Sequence, residues 1–130
     1  MISGNLIENL KKIIARLRHP NEGCQWSIEQ TFSSVSPHTI EEAYEVADAI
    51  ERNEMSSLKE ELGDLLLNIV FHSQIAEESG IFDFNEVVQG ITEKIIRRNP
   101  HVFKRGALDK KSFQKNNWES QKKKERFEKA

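Results

Sequence analysis

Two short runs of carboxylates are the residues of this chain whose types and spacing could do chemistry. Glu41, Glu42 and Glu45 form an E-E-x-x-E run, and Glu61 and Asp64 form an E-x-x-D run. Acids three positions apart project from one side of a helix. If the two helices are antiparallel neighbours, four carboxylates converge and repel one another, and a hard divalent cation is the simplest neutraliser. Because all-oxygen ligation favours Mg²⁺ or Mn²⁺ over Zn²⁺, the spacing predicts such a site.

The two acidic runs differ in how strongly they indicate a metal site. An E-E-x-x-E run by itself is most often a solvated helix face. The helix around the E-x-x-D run is apolar almost all round, so it is predicted to be buried, and its narrow polar stripe consists of Glu61, Asp64, Asn68 and His72. Carboxylates there need a cation, because burial of an unpaired charge is costly. We expect His72 to be a core histidine with a satisfied hydrogen bond. The absence of Glu-x-x-His pairs disfavours iron.

Four helices are predicted to position these acids, and no strand pattern of useful length is present. Ser36 is the expected N-cap of the second helix, with Pro37 at its first position. Ser56 or Ser57 should cap the third helix, and Gly80 should end it. Apolar residues at three- and four-residue spacing predict helices over about residues 4–18, 37–53, 57–79 and 84–99.

This pattern predicts an all-α protein, an antiparallel helical bundle of about four main helices. Beyond Phe103 the chain turns polar and is expected to form a short helix or a mobile tail. Helices with acids on one face and apolar residues on the other leave apolar surface exposed to water. A single chain of 130 residues covers such surface poorly. We therefore expect at least a homodimer closed by two-fold symmetry.

Composition excludes several classes of protein. The formal net charge of −2 argues against general nucleic-acid binding, which requires a basic excess. The single cysteine, Cys24, permits no internal disulfide and fits a reducing compartment. Charges interrupt the apolar N-terminal segment, so neither a signal peptide nor a membrane span is expected. These features predict a cytoplasmic protein.

Several blocks of the sequence resemble one known family, the MazG nucleotide pyrophosphohydrolases of the all-α nucleoside-triphosphate pyrophosphatases. The two acidic runs match its central motif. The resemblance continues through L-R-x-P-x-x-G-C-x-W-x-x-E-Q-T at residues 17–31, E-E-L-G-D-L-L-L-N-I-V-F-H at 60–72, G-x-F-D-F-N-E-V-V at 80–88, K-I-I-R-R-N-P-H-V-F at 94–103 and N-N-W-E-S-Q-K-K-K from 116.

The resemblance implies Mg²⁺-dependent hydrolysis of nucleoside triphosphates, ribo or deoxy, to the monophosphate and pyrophosphate. It implies a dimerising hydrolase domain over residues 1–103 and a tail over 104–130 that acts as a possible substrate lid. The metal ligands that it implies are Glu42, Glu45, Glu61 and Asp64, with Glu41 also in the site. Substrate contacts carried over in the same way are Lys94, Arg98, Trp118 and Lys122.

Alternatives stay open at this level. Glu41 and Glu45 are both candidates for the general base. Lys94 and Arg98 also suit a solvated helix C-terminus, where the dipole favours cations, and Trp118 suits either base stacking or anchoring of the tail. Gln25 and Ser27 depart from the family pattern in a loop where Trp26 and Phe32 are expected to pack on the core, and His38 departs from it in the second helix. The rival function is a nucleotide-sensing or protein-binding helical dimer without turnover.

Overall fold

The computed structural model describes residues 4–103 and 115–129 of the chain. No strand occurs in those two ranges, which confirms the predicted all-α class. The four long predicted helices are all present, and the tail contributes a further helix. In chain order the helices are α1 (Leu6–Leu17), α2 (Gln25–Glu29), α3 (Phe32–Glu51), α4 (Met55–Glu78), α5 (Phe84–Arg98), α6 (Pro100–Phe103) and α7 (Lys115–Lys129).

The start of α3 differs from the prediction, because a capping box outweighs the proline signal. The Ser34 N–H donates to Thr31 Oγ1 at 3.1 Å, and the Thr31 N–H donates to Ser34 Oγ at 2.8 Å. This reciprocal cap starts the helix at Phe32. Pro37 therefore lies inside the helix, where it removes one donor from the ladder. The prediction that the helix begins at Pro37 is wrong.

The boundaries of α4 agree with the sequence to within a few residues. It begins at Met55 behind Glu54, whose carboxylate accepts a hydrogen bond from Ser57 Oγ at 3.2 Å. The predicted caps Ser56 and Ser57 thus lie inside the first turn. At the other end Gly80 has φ +70°, a left-handed conformation that glycine adopts without strain, and the helix ends as predicted.

The chain divides into two compact units, Met1–Phe84 and Asn85–Ala130. In the first unit α3 and α4 pack as an antiparallel pair across the short turn at residues 52–54, and α1 packs on α4. Its buried apolar core, against which Leu10 and Phe84 also pack, consists of Ile14, Val35, Val70, Phe71 and Ile75.

Arg18 joins three segments of the first unit. Its Nε and Nη2 donate to the two carboxylate oxygens of Glu78 at 2.9 Å each. Nη1 donates to the carbonyls of Ser27 at 2.6 Å and Gln30 at 3.0 Å. The guanidinium also lies 5.4 Å from the centroid of the Phe71 ring. Arg18, with its side chain 8% exposed, therefore ties the end of α1 to α2 and to α4.

The prediction that α4 is buried all round is wrong for the single chain. In the described part of the first unit α3 and α1 pack against it, and part of its circumference stays exposed. Leu62, Leu66 and Ile69 remain 49%, 37% and 39% exposed. Asn68, from the predicted polar stripe, is buried as expected.

The sequence left open whether the tail forms a short helix or is mobile. In the second unit the tail forms a helix, α7, over Lys115–Lys129. The rest of the predicted tail, residues 104–114 and 130, lies outside the described residues, as does the side chain of Trp118. Separately, no helix within the described ranges combines the length and apolarity needed to cross a bilayer.

We predict that Arg18→Ala lowers the free energy of unfolding by about 3 kcal/mol, because it leaves Glu78 without its buried cation. Urea denaturation measures the effect. Arg16→Ala is the matched control: Arg16 pairs with Glu22, and both side chains are more than half exposed. Its loss should stay within about 0.5 kcal/mol. Equal losses in the two variants would contradict the role assigned to Arg18.

Candidate functional site

Three carboxylates from two helices meet in the first unit. Glu42 projects from α3, and Glu61 and Asp64 project from α4. One carboxylate oxygen of each lies within 4.8 Å of the others. The antiparallel packing of α3 and α4 places Glu42 opposite the E-x-x-D pair, as the sequence led us to expect. We call these three residues the acid cluster.

Glu42 is the acid whose environment is least compatible with a bare carboxylate. Its Oε2 is buried and has no hydrogen-bond partner among the described residues. Burial raises the pKa of Glu42, and the close Glu61 carboxylate and the charges of Asp64, Glu61 and Glu41 raise it further. Buried polar atoms without partners are uncommon in native proteins. An oxygen-ligated divalent cation would satisfy this atom and offset the repulsion, so the acid cluster fits Mg²⁺ or Mn²⁺.

The structure treats the other two predicted acids differently. Glu45 is exposed and does not belong to the acid cluster, although it follows Glu42 by one helical turn. Glu41 is also exposed, and its charge contributes to the raised pKa of Glu42. The role of Glu45 as a ligand, and of either residue as a base, therefore stays a prediction.

A polar network supports the acid cluster from one side. Asn68 Nδ2 donates to the Asp64 carbonyl at 2.9 Å, and Thr39 Oγ1 lies 3.2 Å from Asn68 Oδ1. Thr39 Oγ1 also lies 2.9 Å from His72 Nε2, and the His72 ring stacks on Phe32 with centroids 5.9 Å apart. Burial lowers the pKa of His72 and favours its neutral form. His72 thus has the hydrogen bond expected of a core histidine.

A pocket of about 270 Å³ opens beside the acid cluster and includes Glu42 in its wall. Trp26, expected to pack on the core, instead lies at this pocket with 59% of its surface exposed, which corrects that prediction. No local signal in the sequence predicts this position, because the pocket wall combines residues of α1, α2, α3 and α4. The other lining residues are Leu17, Ser27, Val35, His38, Leu67, Asn68 and Phe71.

The predicted phosphate contacts lie in the second unit. Lys94, Arg98 and Lys122 line one pocket of about 210 Å³ together with Glu125, Arg126 and Lys129. The structure therefore brings three of the four predicted substrate-binding residues together. Sequence analysis did not single out Glu125, Arg126 or Lys129 within the lysine-rich tail.

Comparison with known proteins gives one family. The model of the MazG nucleotide pyrophosphohydrolase domain matches residues 30–103. The nucleoside triphosphate pyrophosphohydrolase of Escherichia coli K12 is 47% identical over 126 residues, covering 97% of this chain and 48% of the relative. The nucleoside triphosphate pyrophosphohydrolase/pyrophosphatase MazG of Thermotoga maritima is 50% identical over 101 residues, covering 78% of this chain and 39% of the relative. The chain thus spans about half or less of these relatives.

A solved structure also resembles the chain. The crystal structure of a mazG-related protein from Thermotoga maritima superimposes with a TM-score of 0.68 at 26% identity. The match covers 91% of this chain and 98% of that one. The likeness extends beyond the segment matched by the domain model.

The raised pKa of Glu42 predicts a pH dependence of stability. The folded state holds this proton more tightly than the unfolded state, so its stabilising contribution is complete below the ordinary glutamate pKa. It is lost as pH rises through the raised folded-state pKa. Without divalent metal, wild-type stability should fall over that window relative to Glu42→Gln.

Urea denaturation at a series of pH values in EDTA measures this difference. Glu60→Gln, an exposed acid on the same α4 surface region, is the control and should follow the wild type. Added Mg²⁺ should raise wild-type stability above the window, because a ligand bound only by the folded state stabilises it. A wild-type curve parallel to that of Glu42→Gln would disprove the assigned electrostatics.

Proposed function

The chain belongs to the MazG nucleotide pyrophosphohydrolase domain family, and on that basis we propose that it hydrolyses nucleoside triphosphates to the monophosphate and pyrophosphate. The observation that carries the proposal is the acid cluster, with its buried, partnerless Glu42 oxygen, directly beside a pocket large enough for a nucleobase. Mg²⁺ is the proposed cofactor, and Mn²⁺ is a possible substitute. Both ribo- and deoxynucleotides are candidate substrates.

The acid cluster would hold the metal, with Glu45 as the further ligand that the family pattern implies. Bound there, Mg²⁺ would neutralise the triphosphate and lower the pKa of the attacking water. Water adds to the α-phosphorus, and the bond from that phosphorus to the bridging oxygen of the β-phosphate breaks. The proton of the water passes to a carboxylate of the chain. Glu41 and Glu45 are the proposed acceptors, since both are exposed near Glu42.

We assign the pocket beside the acid cluster to the nucleoside. Its walls are mostly apolar, from Leu17, Val35 and Phe71, and Trp26 offers a partly exposed indole for stacking. His38 and the Ser27 segment supply polar groups at the same wall. Because Glu42 belongs to both the pocket and the acid cluster, a nucleoside held there has its phosphates next to the metal ligands.

The family pattern implies phosphate contacts for three residues that lie together in the second unit. Lys94 and Arg98 lie one helical turn apart on α5, and Lys122 projects from α7 into the same pocket. Trp118 and Lys122 belong to the proposed substrate lid over residues 104–130, next to a hydrolase domain over 1–103.

Assembly and location complete the proposal. The exposed apolar side chains of α4, among them Leu62, Leu66 and Ile69, would be covered in a two-fold homodimer. A cytoplasmic site of action suits a nucleotide substrate.

Conservative loss of one acid tests the proposed reaction. Glu61→Gln and Asp64→Asn should lower kcat by about 100-fold or more while the fold survives, because each removes one proposed metal ligand. Glu60→Gln, next to Glu61 and exposed, should retain wild-type activity. Chromatography of the products decides the bond cleaved: monophosphate with pyrophosphate is expected. Diphosphate with orthophosphate would refute the proposal, and nucleotide binding without any product would favour the sensing protein.

Replacement of Trp26 tests the nucleoside pocket. Trp26→Ala should raise KM by about tenfold with kcat less affected, since stacking on a base contributes roughly 1–3 kcal/mol. Trp26→Phe keeps an aromatic ring and should recover part of the loss. An unchanged KM in Trp26→Ala would show that the base does not stack on Trp26. Trp118 would then be the alternative stacking residue.

A further inference from the structure

One carboxylate in the second unit is shared by two arginines. Glu125 on α7 accepts from Arg98 Nε at 3.1 Å and from Arg98 Nη2 at 3.3 Å, and its Oε1 also accepts from Arg97 Nη2. The Arg98 and Glu125 side chains are 9% and 13% exposed, whereas that of Arg97 is 53% exposed. The two arginines lower the pKa of Glu125 to about 2, with Arg97 contributing most. The carboxylate thus stays ionised throughout the neutral range.

Little else among the described side chains of α7 explains its docking. Phe127, the large apolar side chain described on this helix, is 84% exposed. A helix of 15 residues is marginally stable alone in water. Its other described side chains are mostly basic and exposed. The ion pairs from Glu125 are therefore the described contacts that hold α7 against α5.

The docked helix completes a basic pocket. Lys94 and Arg98 come from α5, and Lys122, Arg126 and Lys129 come from α7, around a volume of about 210 Å³. Among the described residues, Lys94, Lys122, Arg126 and Lys129 form no ion pair. Glu125 is the single acid among the described lining residues. Five cations facing one carboxylate leave a strong excess of positive charge, which suits a polyphosphate anion.

We propose that Glu125 is the positioning residue of this basic pocket: it docks α7 onto α5, orients the Arg98 guanidinium, and thereby brings Lys122, Arg126 and Lys129 to Lys94 as a site for a di- or triphosphate anion. The identity of that anion rests on the proposed function. The docking role of Glu125 does not, because it follows from contacts within the second unit.

The contacts of Glu125 also indicate whether it positions the cations of the pocket or competes with the anion for Arg98. A carboxylate that merely occupied Arg98 in place of a phosphate would weaken anion binding, and its removal would strengthen it. Glu125 instead joins the helix that carries three of the five cations in the pocket. Removal of Glu125 would free the Arg98 guanidinium for an anion, but it would also release the helix that carries the three cations of α7.

The test compares Glu125→Gln with Glu128→Gln in the full chain. Both variants remove one negative charge from α7, but Glu128 is exposed and forms no ion pair among the described residues. Hydrogen exchange of the α7 amides should accelerate in Glu125→Gln and stay at the wild-type rate in Glu128→Gln. Calorimetric titration with inorganic tripolyphosphate, without divalent metal, should show about tenfold weaker binding in Glu125→Gln and near wild-type binding in Glu128→Gln.

Each other outcome overturns a defined part of the proposal. Unchanged α7 exchange in Glu125→Gln refutes docking by Glu125, and equal or tighter tripolyphosphate binding makes Glu125 a competitor of the anion. A wild-type chain that does not bind tripolyphosphate refutes the pocket. Because neither readout needs turnover, a chain that binds tripolyphosphate in this way but hydrolyses no nucleotide would refute the proposed function alone.

Discussion

The antiparallel packing of α3 against α4 is the contact on which the rest of the first unit depends. The turn between them is short, with Asn53 in a left-handed conformation at φ 53°, so the two helices run back along each other. This register sets Glu42 against Glu61 and Asp64 and leaves one buried Glu42 oxygen without a donor among the described residues. Helix packing therefore maintains a repulsive arrangement of charge that contributes nothing to stability by itself. Such an arrangement is understandable as a preorganised cation site.

Two sets of polar interactions hold the residues around the acid cluster in place. Thr39 and Asn68 connect α3 to the backbone carbonyl of Asp64, so the acid and the opposite helix are fixed relative to each other. Arg18 acts at longer range. Its bond to the Ser27 carbonyl holds the short α2, and α2 carries Trp26 to the edge of the pocket. Arg18, which is not part of the acid cluster, thus fixes the position of one wall of the proposed nucleoside pocket.

The formal net charge of −2 conceals a difference in local charge between the two units. The first unit carries the acid cluster, and the second carries the basic pocket. Carboxylates suit a divalent cation, and arginine and lysine suit a polyphosphate anion. The second unit also shows how a polar helix is retained without a large apolar face. Glu125, between Arg97 and Arg98, supplies a directed ionic contact where α7 offers little apolar surface.

The sequence by itself determined the features that depend on neighbouring residues: the four long helices, the all-α class, the end of α4 at Gly80 and the pairing of acids three positions apart on one face. Even the start of α3 was encoded locally, in the Thr31–Ser34 capping box, although Pro37 obscured it. Tertiary structure alone decided that Glu42 lies within 4.8 Å of Glu61 and Asp64, because that distance follows from the register of two helices. It also decided that Trp26 lies at a pocket and that Glu125 meets Arg98, 27 positions away. Periodicity reports which face of one helix a residue occupies, but it carries no information about the distant segment that this face will meet.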